Sequence, residues 1–493
     1  MLAGMDLRIF LKLPVGLSLL LLSGCVSLGS LTPGASPARE LPVSGAPDQW
    51  QMAGGTLRRV DAEPSPQRWL QLLNDPLLEQ LVDEALEANP SLQRVRALLA
   101  EGRAQAIIAG ADQQPEISAN AQAGRNGRGS QDSTSLSLGL NLGWQLDLWN
   151  KLSDSARAAE IDRQALLQDY QAARLSLAAT ISKNWFAAIE SMQQLRLSQS
   201  LVEVLSARLE VLEEGYRSGL VAALDIHLAR ANLATEISRL ATREQTLGTR
   251  VRALELLLGR YPANQQSVAA TLPVLPEPIP AGLPSELLTR RFDIRAAQLR
   301  VESAWARLSR SHKDRFPSFS LTASLGSSSD QLDKLLRGDS LVWSLLGGVA
   351  QPLMNGGRLE AQEARALAQA QQREAGYRDT VLKAFAEVEE ALQQEQQFQR
   401  LVGALEVSVS ESDLAEVLAA EQYRSGLVEY TTLLEAQRRA FDARSGFIQA
   451  RNQQLQNRMD LYLALGGDFM QDVDSSLEIS PQSSPRSQEM LSQ

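Results

Sequence analysis

The chain has 493 residues, 44% apolar and only 5% aromatic, with a net charge of −10; this apolar share supports a packed fold and excludes a disordered protein. The charges are interspersed without a basic stripe, which excludes nucleic acid as a partner. One cysteine, Cys25, and two histidines, His227 and His312, exclude a disulfide, a cysteine-rich zinc site and a Cys–His dyad; both histidines read as solvated helix residues.

Arg8 and Lys12 precede the apolar run LPVGLSLLLLSGC. A charged start followed by a stretch too short to span a bilayer reads as a signal peptide, residues 1–24. Leu22-Ser23-Gly24-Cys25 resembles the bacterial lipobox. The resemblance implies cleavage before Cys25 and a covalent lipid, diacylglycerol plus an N-acyl chain, on its thiol and amine. Several acyl chains on one residue anchor stably. Val26, rather than Asp, follows; by resemblance to the enterobacterial sorting rule this favours the outer membrane. Residues 25–64 are rich in Gly, Pro and Ser and read as a lipid-anchored extended tether. Residues 474–493 read as a disordered tail.

Between them the chain repeats itself. ANPSLQRVRALLAEGRAQ from Ala88 matches RFDIRAAQLRVESAWARL from Arg291, and Pro115 and Pro317 keep the same offset. YRSGLV occurs at Tyr216–Val221 and again at Tyr423–Val428. Two repeats are expected, 65–270 and 271–473, joined by the Pro-rich LPVLPEPIPAGLP. Each reads helix, β-hairpin, long helix, sharp corner, helix.

The hairpins are expected at about 115–147 and 317–353. Leu136, Leu138, Leu140, Leu142 and Trp144 alternate with Ser137, Gly139, Asn141 and Gly143; Phe319, Leu321, Ala323 and Leu325 alternate with Ser318, Ser320, Thr322 and Ser324. Period two puts one face in apolar and the other in polar surroundings. The same period fits a half-buried soluble sheet. The small polar residues of the second face favour a membrane barrel with a wet lumen. Four strands cannot close a barrel, and open edges are not tolerated in lipid. A barrel therefore requires several chains, and a trimer supplies twelve strands.

Long helices are expected from about Asn150 to Glu214 and from about Arg358 to Gln422, each about 100 Å long. In the first, Leu177, Ile181, Trp185, Ala188, Met192, Leu195, Gln199, Val202, Leu205, Leu209 and Leu212 follow coiled-coil spacing, with Gln199 as the polar interruption. Gly219 and Gly426 suit a left-handed residue ending each helix. Asp225 lies at the start of the first returning helix, where a carboxylate favours the dipole. Glu435 lies about one turn inside the second. No nucleophile–base set, phosphate loop or metal spacing occurs, so an enzyme is not expected.

WLQLLNDPLLEQLVDEALEANPSL, WQLDLWNKL, LPSELLTRRFDIRAA, QPLMNGGRLEAQ and YRSGLVEYTTLLEAQR together resemble the outer-membrane efflux proteins. The nearest likeness is to the OprM-like, NodT-type lipoproteins, with TolC more distant. Phe292 departs from the family, which has Pro there. The resemblance implies a mainly α fold with a small membrane β-barrel. It implies a homotrimeric channel-tunnel in the bacterial outer membrane, reaching into the periplasm. Its partners would be a periplasmic adaptor and an inner-membrane transporter of the RND type. By position, Tyr423 matches the gate tyrosine, Glu435 an acidic ring and Arg438 its basic partner. Asp225 and Thr431 complete the expected periplasmic gate, Thr431 replacing a leucine constriction and Gln422 an arginine. A plain surface pair of Glu435 with Arg438 at helical spacing is the alternative. Arg217, Gly219, Leu220, Arg424, Gly426 and Leu427 are the adaptor-contact candidates. A gated efflux duct is expected; a channel for type I protein secretion and a non-conducting periplasmic scaffold remain as other readings.

Overall fold

A computed structural model describes Trp50, Leu70 and residues 73–128, 131–275, 287–335 and 341–467. These belong to one compact unit, Val43–Gln493. The signal peptide, Cys25, almost all of the tether and the tail lie outside the described residues.

The elements in chain order are α1 (Pro76–Ala88), α2 (Pro90–Ala111), β1 (Glu116–Arg128), β2 (Gln131–Leu146), α3 (Lys151–Arg217) and α4 (Ala223–Leu257). They continue as the short α5 (Leu287–Arg290), α6 (Phe292–Lys313), β3 (Ser318–Ser329), β4 (Leu341–Ala350), α7 (Arg358–Arg424) and α8 (Tyr430–Ala464). The long helices α3 and α7 have 67 residues each, about 100 Å at the helical rise. The returning helices α4 and α8 have 35 each.

Helix ends follow from local chemistry. Asp75 and Asn89 cap α1 and α2 by accepting from Leu78 N and Leu92 N at 3.1 and 3.0 Å. Asn150, before α3, is left-handed and makes no side-chain cap. Asp147 takes over instead, accepting from Leu152 N at 3.0 Å and Ser153 N at 2.8 Å. Helix α6 starts at Phe292 without proline or a side-chain cap.

The core lies about midway along α3, where the C-terminal ends of α4 and α8 reach it. Leu78, Val82 and Ala85 of α1 meet Ile181, Trp185, Phe186 and Ile189 of α3, Leu254 of α4, and Leu455 and Met459 of α8. Trp185 Nε1 donates to Asp75 Oδ2 at 2.7 Å, tying the cap of α1 to the core. The seam of α3 runs as expected through Ile181, Trp185, Ala188, Leu195, Leu205 and Leu212. Gln199, however, is exposed, and the buried polar residues of the helix are Ser182, Ser191, Gln194 and Ser198. His312 also differs from expectation. Its Nδ1 lies 2.9 Å from Glu363 Oε1 and its ring meets Phe316 edge-on at 5.5 Å, because α6 and α7 pack side by side there.

The four strands form one antiparallel sheet in chain order. Register puts Ala119, Leu140, Leu325 and Trp343 in one row, and Ile117, Leu142, Ala323 and Leu345 in the next. The opposite face carries Ser118, Asn141, Ser324 and Ser344 in a row. There Asn141 Nδ2 donates to Asn120 Oδ1 at 2.9 Å, and the hydroxyls of Ser324 and Ser344 are 2.7 Å apart. Leu140 and Trp343 on the apolar face are 50% and 73% exposed within one chain. An open apolar face of this kind needs lipid or a partner against it. Strand β4 breaks the polar face with Val342 and Leu346. The outer edges of β1 and β4 have no described strand beside them.

Candidate functional site

The ends of the long helices farthest from the sheet gather the expected site residues. Both corners use the same backbone device. Gly219 and Gly426 have φ of +74° and +67°, a conformation that glycine adopts without a side-chain penalty. Gly219 N donates to Tyr216 O at 2.9 Å and Leu220 N to Gly215 O at 2.8 Å; Gly426 N donates to Tyr423 O at 3.0 Å and Leu427 N to Gln422 O at 2.9 Å. This paired bonding satisfies the last carbonyls of each helix and turns the chain back. The corner leaves Leu220 84% and Leu427 75% exposed at the extremity. Arg424 is exposed beside them, and Arg217 pairs with Glu214 at 2.9 Å.

The corners are not identical underneath. A Cβ on Gly215 would meet Val221 Cγ2 at 2.7 Å, so the first corner is closed tightly over its own helix. The matching position in the second corner is Gln422.

Just above the corners a small apolar cluster joins the two hairpins. Leu212 of α3, Ile226 and Ala229 of α4, Ala419 of α7, and Tyr430 and Leu433 of α8 are its buried members; Val221 and Tyr423 pack against it. The rings of Tyr423 and Tyr430 lie 5.6 Å apart at 54°. Burial pushes both phenols above their ordinary pKa. The Asp225 carboxylate adds to this, while the Arg208 guanidinium opposes it at both rings. Both tyrosines are therefore neutral hydroxyl donors. Asp225, in the first turn of α4, is near enough to Tyr423 for its charge to act on the phenol.

Arg208 had no place in the sequence reading. It sits one turn from Leu212 on the buried stripe of α3, and its Nη1 is buried without a hydrogen-bond acceptor. A buried unpaired donor loses its hydration without compensation. Tyr430 and Leu433 were also missed. Their signal was apolar spacing at the start of α8, but Leu212, Ile226 and Ala229 of their cluster come from the other repeat.

Glu435 lies on a different face. Its carboxylate accepts from Arg438 Nη2 at 2.9 Å and Arg439 Nε at 2.9 Å, three and four residues on. Hydrogen bonds from Arg438 and then Arg439 hold its pKa below the usual carboxylate value. Arg439 is a second partner that the sequence reading left out. Within one chain the Glu435 carboxylate is therefore paired by two arginines of its own helix. Thr431 is exposed, its hydroxyl 3.4 Å from Glu429 Oε2. The structure thus brings Tyr423 and Asp225 together with Tyr430, Leu433 and Arg208, and sets Thr431, Glu435 and Arg438 on the exposed side of α8.

No group of three or more His, Cys, Asp or Glu that could hold a metal ion occurs among the described residues. None of the described helices is long and apolar enough to cross a membrane.

Comparison with known proteins places this geometry. Residues 81–260 and 283–467 match the family described as outer membrane efflux protein. The chain is 31% identical over 477 residues to the pyoverdine export outer membrane protein OpmQ of Pseudomonas putida, covering 93% of this chain and 97% of the relative. It is 26% identical over 466 residues to the probable outer membrane lipoprotein SilC of Salmonella typhimurium, covering 92% and 98%. The open state of the Neisseria gonorrhoeae MtrE outer membrane channel is similar with a TM-score of 0.74 and 29% identity, over 80% of this chain and 90% of that one. The Vibrio cholerae outer membrane protein VceC is similar with a TM-score of 0.76 and 25% identity, over 82% and 99%. The chain belongs to the outer membrane efflux protein family: it is an outer-membrane efflux channel of the TolC type and not an enzyme.

Proposed function

We propose that three copies of this chain form the exit duct of a tripartite efflux pump of the RND type, anchored by lipid on Cys25 and built from two repeats, 65–270 and 271–473. The carrying observation is the four-stranded sheet with one apolar face, one polar face and two open edges. Unpaired edges are excluded from lipid, so the sheet must close with others, and twelve strands make a barrel of ordinary size. Helix α7 supports the same reading, since no residue between Leu392 and Ala419 is buried within one chain. The side of that stretch not paired with α8 through Glu395, Asp413 and Glu416 is open to a neighbouring copy.

In this reading the duct does no chemistry. It supplies a wet path and a gate at the tips, with Tyr423, Asp225, Thr431, Glu435 and Arg438 as gate residues. Arg217, Gly219, Leu220, Arg424, Gly426 and Leu427 form the surface for the hairpins of a periplasmic adaptor. Leu220 and Leu427 are the apolar knobs of that surface, and the left-handed glycines leave backbone open beside them. Small molecules are the expected cargo, in keeping with a relative named for pyoverdine export. The lipid anchor is in keeping with a relative named as a lipoprotein. Deletion of the gene in its own host tests the pump role. Increased sensitivity to exported dyes and antibiotics is expected; unchanged sensitivity across a broad panel, or loss of a secreted polypeptide instead, counts against it.

A further inference from the structure

About four turns above the start of α8, a polar node joins three helices. Gln194 Nε2 of α3 donates to Ser445 O at 2.9 Å, and Ser445 Oγ returns a bond to Gln194 Oε1 at 2.8 Å. Arg243 Nη1 of α4 donates to Gln194 O at 2.8 Å and also to Ser198 Oγ. The guanidinium carbon of Arg243 lies 4.8 Å from the centroid of the Phe441 ring on α8, within the range of a cation–π contact. Gln194, Ser198 and Phe441 are all buried. These bonds are directional, so they fix the register of α8 against α3 as apolar contacts cannot.

Contacts differ on either side of the node. Above it, Leu455, Met459 and Tyr462 of α8 enter the main core, and Arg458 pairs with Glu395 of α7. Below it, α8 meets the first repeat through the small tip cluster around Leu433. At the node itself the helix is weak. Gly446 follows Ser445, and Gly–Ser steps are where helices bend. Packing does not require this glycine, since an added Cβ would meet only Leu405 Cδ2 at an ordinary 3.8 Å. The first repeat lacks the device. Its matching positions in α4 are Ala234 for Phe441 and Ser238–Arg239 for Ser445–Gly446.

We propose that Gln194 and Arg243 are positioning residues of the gate, holding Ser445 of α8 as the fulcrum, so that the tip segment of α8 below it turns at Ser445–Gly446. The inference rests on the gated-duct reading above. It makes the motion local: the segment carrying Tyr430, Leu433 and Glu435 swings, while everything above Gly446 stays docked. Arg243 and Gln194 act through α8 and need not touch cargo.

The test uses full-length trimer in planar bilayers, in a Tyr423→Phe and Glu435→Ala background that opens the tip. Two cysteine pairs are added separately and bridged with a short bis-methanethiosulfonate, with bridging verified by mass spectrometry. The pairs are Gln194→Cys with Ser445→Cys at the fulcrum, and Leu212→Cys with Leu433→Cys at the tip. The expected result is that the tip bridge abolishes the conductance of the background until a reductant is added, whereas the fulcrum bridge leaves it intact. Loss of conductance on bridging the fulcrum overturns the proposal. As a second measurement, Gly446→Ala in the same background lowers open probability roughly fourfold to fivefold by stiffening the helix; an unchanged open probability overturns the hinge. A background that conducts no better than wild type sinks the gate reading itself, and the fulcrum with it. Conductance that responds to the tip but is blocked at the fulcrum sinks the fulcrum alone.

Discussion

Leu433→Ala should loosen the tip without loosening the protein. Leu433 is 1% exposed and sits between Leu212 of α3 and Ile226 of α4, so it spans the two repeats. Truncating a buried leucine costs about 2–5 kcal/mol, the lower end applying where neighbours collapse into the space. This cluster is small and close to solvent, which places the loss at about 2–3 kcal/mol. At about 1.4 kcal/mol per factor of ten, the closed tip is disfavoured about thirtyfold or more. The assay is open probability of single trimers in planar bilayers, with Thr431→Ala as an exposed control that should change little. A thermal melt belongs beside it. The main core around Trp185, Phe186 and Met459 is remote from Leu433, so the melting temperature should hold nearly constant. A tip as tight as wild type, or a large fall in melting temperature without leak, would refute the argument that this cluster closes the tip.

Other predictions concern charge at the same place. Glu435→Ala combined with Tyr423→Phe should raise conductance or vancomycin entry; a correctly assembled double variant as tight as wild type removes both residues from the gate. Arg208→Met should tighten closure, because it deletes a buried donor without an acceptor and keeps the bulk; a higher leak than wild type would show that the guanidinium is a closing contact. The Glu435 pKa is lowered by Arg438 and Arg439, so its ion pairs persist above the ordinary carboxylate value and are lost as pH falls through the lowered one. Leak should therefore be flat between about pH 5 and 8, and a conductance midpoint inside that window would contradict the pairing.

The outer frame of this molecule is legible in the sequence because it is governed by local rules. Alternation along Leu136–Trp144 declares a strand, and the glycines of the two YRSGLV copies declare left-handed corners with φ of +74° and +67°. Strand β4 was harder, since Val342 and Leu346 stand on the face that is polar in its neighbours and blur the period of two. The site was only half legible. Tyr423 and Asp225 were expected at the tip and lie near each other there, but Arg208, Tyr430 and Leu433 depend on contacts between repeats, which no local spacing records. Arg439 was within reach, lying four residues from Glu435, yet the pairing with Arg438 alone satisfied the pattern. The apolar positions of the α3 seam hold through Leu205 and Leu212, but the buried polar residues are Gln194 and Ser198 rather than Gln199, and they form the node with Arg243.

The central claim is that several copies of a four-stranded sheet close one gated duct. Single-channel recording from purified full-length protein, with its mass determined in the same detergent, tests this most directly. The account predicts an assembly of three chains that conducts weakly as wild type and in clear steps as the Tyr423→Phe, Glu435→Ala variant. A monomer, or a trimer silent in both forms, would contradict it.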